Sequence, residues 1–300
     1  MNNPSSGNLS LLKEFRLLYR NYKRSLDEQV KFDYMEFQKF LERIAQQFGI
    51  EYKGLEVLEI GCGQRYPHAL ILSKENDVTA IDLDVILTGW SPTLLYKLFT
   101  KCGYRRGFKT VIRKVLFDNK YHCGLSRLAE GELKRKPAVY QMNAEKLNFP
   151  DSKFDFIFSI AVLEHITDVE VSIREIQRVL KVGGIFGLQI NLFTGLTGGH
   201  NIYGIDGLDM IGMSEEKLIV PPWDHLRKRQ FGSISPLNKL RIADYKEIFG
   251  KYFSEIYYHE TLHDDHRRYF NHELRKELSD YSDNELLCDD FQVIGRKETA

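Results

Sequence analysis

The sequence predicts an α/β fold on a doubly wound, mostly parallel sheet, and three observations predict it. Short apolar runs of strand length recur at Leu55–Ile60, Val78–Ile81, Phe154–Ile160 and Gly184–Ile190. Helix-period residues separate them, most clearly Val171, Ile173, Ile176, Val179 and Leu180. The first run ends in Gly61-Cys62-Gly63, small residues that let a strand turn sharply into a helix. Strands alternating with helices imply parallel strands covered on both faces.

Taken in order, the chain begins with apolar steps at Leu11, Leu12, Phe15, Leu18, Tyr19 and Tyr22, which predict one amphipathic helix. Tyr34, Phe37, Leu41, Ile44, Ala45 and Phe48, stopped by Gly49, predict a second. Together they would form an N-terminal helical cap over 1–50, ahead of a main domain over 51–300. The strand Leu55–Ile60 leads into helix at Ala69–Leu72, and the strand at Val78 ends on Asp82. After the strands at Phe154 and Gly184, a final strand pair is expected at Phe253–Tyr258 and Phe291–Ile294, with a polar helical stretch over about 266–287 between them.

Two segments break this rhythm. Residues 85–137 are far longer than one crossover helix requires, and carry twelve basic residues against three acidic ones. Phe108, Val111, Ile112, Val115 and Leu116 make an apolar stripe there, flanked by Arg105, Arg106, Lys109, Arg113 and Lys114. A basic amphipathic helix suits a lid over the domain, a peripheral contact with an anionic membrane, or recognition of an anionic substrate. The second segment, 191–236, is rich in glycine and follows a strand end, where open α/β sheets hold ligands.

Composition narrows the partners. The 300 residues are 43% hydrophobic and 28% charged, which is globular rather than disordered. Forty-two basic residues balance forty-two acidic ones, so the chain lacks the overall basic excess of a nucleic-acid binder, and no nucleic acid is expected. Four cysteines with no close pair give neither a disulfide framework nor a zinc knuckle. No apolar window is long enough to cross a membrane, and MNNPSSGNLS lacks a signal-peptide pattern, so a cytoplasmic location is expected.

The glycine turn has a physical reading of its own. Its backbone can approach a ligand closely, and the helix after it presents unbonded N–H groups. Tyr66 stands where a dinucleotide fingerprint requires its third glycine, and Glu59 suits an ammonium better than a pyrophosphate. Asp82 lies about twenty residues on, where a carboxylate can accept from two ribose hydroxyls.

These residues resemble the class I S-adenosylmethionine-dependent methyltransferases, of the small-molecule and ubiquinone-type branch. Val57–Gly63 is similar to the family's first motif and Ala80-Ile81-Asp82 to its second. Gln141–Pro150 resembles the adenine-binding segment, with Asn143 in place of the common Asp. Phe154–Ser159 and Arg174–Gly184 resemble the fourth strand and the helix-turn-strand after it. The resemblance implies a Rossmann-like sheet of seven strands with an antiparallel C-terminal strand. It implies S-adenosyl-L-methionine as cofactor, held by Glu59, Gly61, Cys62, Gly63, Asp82, Leu83, Asn143, Ala144, Glu145, Ser159 and Ile160. It also places Leu163-Glu164-His165 in the cleft, although Ala161 stands where related enzymes carry a further metal-binding acid.

A sulfonium activates its methyl for in-line attack, so the protein must hold the acceptor close and remove a proton where needed. His165, His200 and His225 are the candidates for that proton, and Tyr203 and Trp223 for binding a ring-shaped acceptor. A small-molecule or glycan-like acceptor and O-methylation are the expectation. An RNA methyltransferase and a non-catalytic cofactor-binding subunit are the alternatives. After the fourth strand, Phe158-Ser159-Ile160-Ala161 lacks the Pro-Pro clamp that holds a flipped base. His259, His263 and His266 are spaced for metal ligation on one helix, but His259 ends a predicted strand, so a polar turn is the default and no metal is expected.

Overall fold

The computed structural model describes residues 11–130, 133, 135–200, 221–227 and 236–298, with side chains from Leu26 onward. Strands β1 (Glu56–Ile60), β2 (Asp77–Asp82), β3 (Ala138–Gln141), β4 (Phe154–Ile160) and β5 (Leu180–Asn191) pair in parallel. With β6 (Glu255–Leu262) and β7 (Cys288–Arg296) they form one seven-stranded sheet in the order β3-β2-β1-β4-β5-β7-β6. The last strand runs antiparallel to both β5 and β6. The order reverses between β1 and β4, and ligands of doubly wound sheets bind at such a switch point.

Both faces of the sheet are covered. Val57, Phe156, Phe158 and Ile185 turn to one side, under α1 (Leu11–Phe48), α2 (Pro67–Leu72) and α5 (Asn119–Leu128). Leu58, Ile157, Phe186 and Leu188 turn to the other, under α6 (Val169–Val179) and α8 (Ile242–Gly250). The two N-terminal helices expected from the sequence are one helix of 38 residues. No glycine or proline interrupts it between Tyr22 and Asp33, and Leu26 and Val30 carry the apolar stripe through to Phe37, Phe40 and Ile44. Its C-terminal half is thus part of the core rather than a separate cap.

The long insert folds as α3 (Pro92–Cys102), α4 (Tyr104–Arg113), a π-helical turn (Lys114–Asp118) and α5. Ser91 accepts from the Leu94 N–H, and Pro92 follows it, a start signal that fixes α3. Tyr121 on α5 donates to the Asp33 carboxylate of α1, and the Arg65 guanidinium lies 4.5 Å over the Tyr121 ring. The buried Asp118 pairs with both Arg65 at 3.3 Å and Arg113 at 3.2 Å, which ties the insert to the segment after β1. The outer surface of the insert leaves Tyr96, Tyr104, Phe108 and Val115 exposed.

Near the C-terminus the expected polar helix is three pieces: a 3-10 helix (Asp264–Tyr269), α9 (His272–Glu277) and α10 (Asp283–Leu287). Asn271 and Ser282 divide it, because each side chain accepts the backbone N–H three residues on and starts a new helix. A four-residue helix, α7 (Asp224–Arg227), lies in the otherwise undescribed stretch after residue 200. Among the described residues no helix is long and apolar enough to cross a membrane.

Candidate active site

A cleft of about 620 Å³ opens at the carboxyl ends of β1, β2 and β4. Gly61 and Gly63 form its floor, both with positive φ (76° and 63°), and for different reasons. A Cβ on Gly61 would lie 2.2 Å from Val162 Cγ2, whereas one on Gly63 would meet nothing within 4 Å. The first glycine lets β1 pass under the loop after β4, and the second leaves the cleft open. The turn is pinned from below, since the Gly61 and Cys62 N–H groups both donate to the Ile81 carbonyl.

Asp82 ends β2 at the rim. Its Oδ2 accepts the Gly63 N–H at 2.8 Å and its Oδ1 the Asp84 N–H at 2.8 Å, so the carboxylate is fixed in orientation. Burial raises its pKa, against the pull of those two N–H groups. Each oxygen retains a second lone pair, the number that a ribose diol needs. Asn143 accepts the Glu145 N–H at 2.9 Å and donates to the Glu145 carboxylate at 3.1 Å, while Glu145 also accepts the Asp168 N–H at the start of α6. Asn143, Ala144 and Glu145 with Leu83 therefore form one wall of the cleft, tied to α6. Arg106 of α4 also lines the cleft and pairs with Asp84.

Four of the residues assigned to the cofactor do not line this cleft. Glu59 is buried on the α2 side, where it accepts the Ala69 N–H at 3.0 Å and contacts His68 Nδ1 at 3.2 Å. Cys62 lies in the core under α1 and α2, and burial pushes its thiol pKa up. Ser159 is fully buried and donates to the Ile60 carbonyl at 2.8 Å, and Ile160 packs against the same core as Cys62. Glu59 leaves β1 on the face opposite Ile60, which lines the cleft, because successive side chains of a strand alternate.

After β4, His165 lines the cleft from a 3-10 turn (Leu163–His165). Its Nδ1 lies 3.0 Å from the Pro236 carbonyl. A carbonyl only accepts, so Nδ1 carries a proton, and Nε2 is the nitrogen that can carry the lone pair of the neutral ring. His200 sits beside it, with ring centroids 5.0 Å apart. Burial, with help from His165, lowers the His200 pKa and keeps that ring neutral. Beneath the pair, burial pushes the Glu164 carboxyl up to about 8. One ligand atom from each of Glu164, His165 and His200 lies within 4.8 Å of the others, a set that could hold a divalent ion.

The remaining predicted residues lie elsewhere. His225 is buried against Phe193, its Nε2 2.7 Å from the Phe193 carbonyl, and burial lowers its pKa to about 4. It lines a separate, smaller cavity with Phe193, Lys239 and Tyr281. Trp223 is buried in a small core with Leu274, Leu278 and Leu286. Aromatic bulk beside a glycine-rich loop there serves packing and presents no ring to the cleft. Tyr203 lies outside the described residues. Sequence reasoning missed Asn238, whose amide donates to the Leu163 and Ile166 carbonyls at 2.6 and 3.1 Å and whose N–H donates to the Glu164 carbonyl. It clamps the turn that carries His165, and an asparagine in a loop gives no signal of that from sequence.

The residues present fit an adenosyl sulfonium. A fixed carboxylate stands at the end of β2, an amide carbonyl at Asn143, and an open glycine between them. Gly61, Gly63, Asp82, Asn143 and Ala144 would hold such a cofactor.

Comparison with known proteins points the same way. Residues 118–188 match the methyltransferase domain family. The chain is 29% identical over 153 residues to sterol 24-C-methyltransferase erg6 of Aspergillus fumigatus, covering 50% of this chain and 31% of that protein. It is 37% identical over 67 residues to the ubiquinone/menaquinone biosynthesis C-methyltransferase UbiE of Shewanella frigidimarina, covering 22% and 27%. The chain thus spans less than a third of the length of these curated relatives. Among solved structures, a SAM-dependent methyltransferase from Methanosarcina mazei aligns over 86% of this chain and 98% of its own, at 17% identity and a TM-score of 0.45. The matched segment runs through β3, β4 and α6 into β5 and begins beyond the glycine turn at residues 61–63, which lies outside it. Residues 118–188 thus lie in a methyltransferase domain, carried on a seven-stranded, mostly parallel sheet.

Proposed function

We propose that the chain transfers a methyl group from S-adenosylmethionine to a hydroxyl of a small-molecule or glycan-like acceptor, with His165 removing the proton. Bound in the cleft, the cofactor would supply an electrophilic methyl group. The observation that carries the reading is His165 on the cleft wall with its proton directed to the Pro236 carbonyl, which orients a basic Nε2. The neutral His200 beside it does not oppose charge developing on His165, as a second cation would. Asn238 positions the turn.

The matched C-methyltransferases favour a second acceptor class, an activated carbon, for which the same base would serve. The exposed aromatics and cations of the insert support delivery of the acceptor from an anionic membrane surface. The experiment is incubation of the protein and labelled S-adenosylmethionine with lipid, quinone and glycan fractions, followed by resonance assignment of the new methyl as O- or C-bound. His165→Ala should lower turnover by about 100-fold or more while leaving affinity for S-adenosylhomocysteine intact. Full turnover in that variant would remove His165 from the chemistry.

A further inference from the structure

A second constellation of metal-ligating side chains lies outside the cofactor cleft, where the last two strands meet the 3-10 helix. His263 caps that helix and His266 follows three residues later. A 3-10 helix has three residues per turn, so positions i and i+3 eclipse. The two imidazoles accordingly stand nearly parallel, 14° between planes and 5.0 Å between centroids. The backbone holds them there, because the His263 N–H donates to the Leu287 carbonyl and the His266 N–H to the His263 carbonyl. Facing them are the opening residues of β7, with Asp289 buried and Asp290 half-buried.

The distances are wrong for hydrogen bonds and close to those of a shared ion. His266 Nδ1 lies 3.7 Å from Asp289 Oδ2, and His263 Nε2 lies 3.8 Å from Asp290 Oδ2. Both nitrogens are buried and neither makes a hydrogen bond with any described residue. An unsatisfied buried polar atom costs about 1–3 kcal/mol, and here two are directed at carboxylates just out of reach. Ligands at about 2.0–2.1 Å from a tetrahedral ion are separated by about 3.3 Å, so seating one would close these two pairs by about half an ångström and the other pairs by up to about 1.5 Å. Single ligand atoms of His263, His266 and Asp289 already lie within 4.8 Å of one another.

We propose that His263, His266 and Asp289 form a structural site for a divalent transition metal of the zinc type, with Asp290, outside that triad but 3.8 Å from His263 Nε2, moving in as the fourth ligand. Two imidazoles and two carboxylates form a borderline-hard, closed donor set that suits zinc better than calcium or magnesium. Asp289 is oriented for the role, since its Oδ1 lies 3.4 Å from the Thr197 N–H and its carbonyl accepts the Leu192 N–H. The ion therefore fastens the turn over 192–197, which leads directly to His200, onto the end of the sheet. Its function is to set where that turn stands, and it touches no reacting atom.

The test is metal content and affinity of the full chain, stripped with chelator and titrated with Zn²⁺ alone, with Co²⁺ as a spectroscopic probe. One equivalent of zinc, a tetrahedral cobalt spectrum, and at least a tenfold loss of affinity in His263→Gln and in Asp289→Asn are expected. A His165→Ala/His200→Ala double variant must keep the metal, which keeps the proposal falsifiable even where the first two variants fail to fold. Absence of zinc binding by the wild type would overturn the proposal, and so would loss of the metal in the double variant. Calorimetry with S-adenosylhomocysteine reads the cofactor cleft separately, so failure here is distinguishable from failure of the methyltransferase reading.

Discussion

Substituting alanine for Gly61 and for Gly63 separates backbone strain from steric overlap in the cofactor cradle. Both positions have left-handed φ, which costs a residue with a Cβ about 1–2 kcal/mol. At Gly61 the added methyl would also lie 2.2, 2.7 and 2.9 Å from the three branching carbons of Val162, so the loop after β4 must move. Overpacking of that kind costs about 1–3 kcal/mol, giving about 2–5 kcal/mol in total for Gly61→Ala. At Gly63 nothing lies within 4 Å, and the conformational cost stands alone. Urea unfolding should therefore rank the variants, with Gly63→Ala mildly and Gly61→Ala severely destabilised. Val162→Ala should recover the overlap share in the Gly61→Ala background and leave the φ share. Calorimetry with S-adenosylhomocysteine should show weakened binding for Gly63→Ala with the fold intact, because its methyl enters the cleft. If Gly61→Ala unfolds within 0.5 kcal/mol of wild type, well under the roughly 2 kcal/mol minimum above, the crossing of β1 beneath Val162 is misread.

Three further outcomes follow from the same geometry. Asp82→Ala removes the acceptor for the Gly63 and Asp84 N–H groups as well as the ribose partner, and should weaken S-adenosylhomocysteine binding more than tenfold by calorimetry; unchanged affinity would detach β2 from the cofactor. Glu164 is held protonated by burial, with a folded-state pKa of about 8 against an ordinary 4.5. Its contribution to stability is full below about 4.5 and is lost as pH rises through about 8. Glu164→Gln should then gain on wild type between pH 5 and pH 9 in urea unfolding, and parallel curves would refute the assignment. Phe108→Ser with Arg105→Glu, on the exposed side of α4, should abolish sedimentation with phosphatidylserine vesicles, and wild type should not sediment with neutral ones; equal behaviour of both proteins would leave the insert as a lid.

Much of the fold was legible because its signals are local. The strand runs, the glycine turn and the Asp82 terminus each need only a few neighbouring residues to state their case. The face a side chain would leave by was not legible. All of Val57, Leu58, Glu59 and Ile60 are buried, so β1 shows no polar alternation to say which residues face a ligand. Glu59 and Ser159 carry the right chemistry in the right segments and point into the protein. The N-terminal helix shows the same limit, for a stripe read as two pieces is continuous once Leu26 and Val30 are seen to be buried. His259 stands within β6 while His266 faces Asp289, a partner in another strand that no local spacing could supply.

Those inward-pointing groups account for the rigidity of the cradle. Ser159 holds the Ile60 carbonyl, the last before the glycine turn, at a net gain of about 1 kcal/mol for a buried hydrogen bond. Glu59 binds the Ala69 N–H near the start of α2, and Asp82 binds the Gly63 N–H within the turn itself. The turn is thus fastened to β4, α2 and β2 at once, which spares a bound cofactor the entropy of ordering it. The acceptor end is built differently. His165 follows β4, His200 follows β5, and Pro236 and Asn238 precede α8, so segments far apart in sequence meet through a few hydrogen bonds and one ring contact. A fixed cofactor floor beneath an acceptor wall assembled from loops explains how one fold keeps its cofactor while its acceptor changes, because altering the loops leaves the floor untouched.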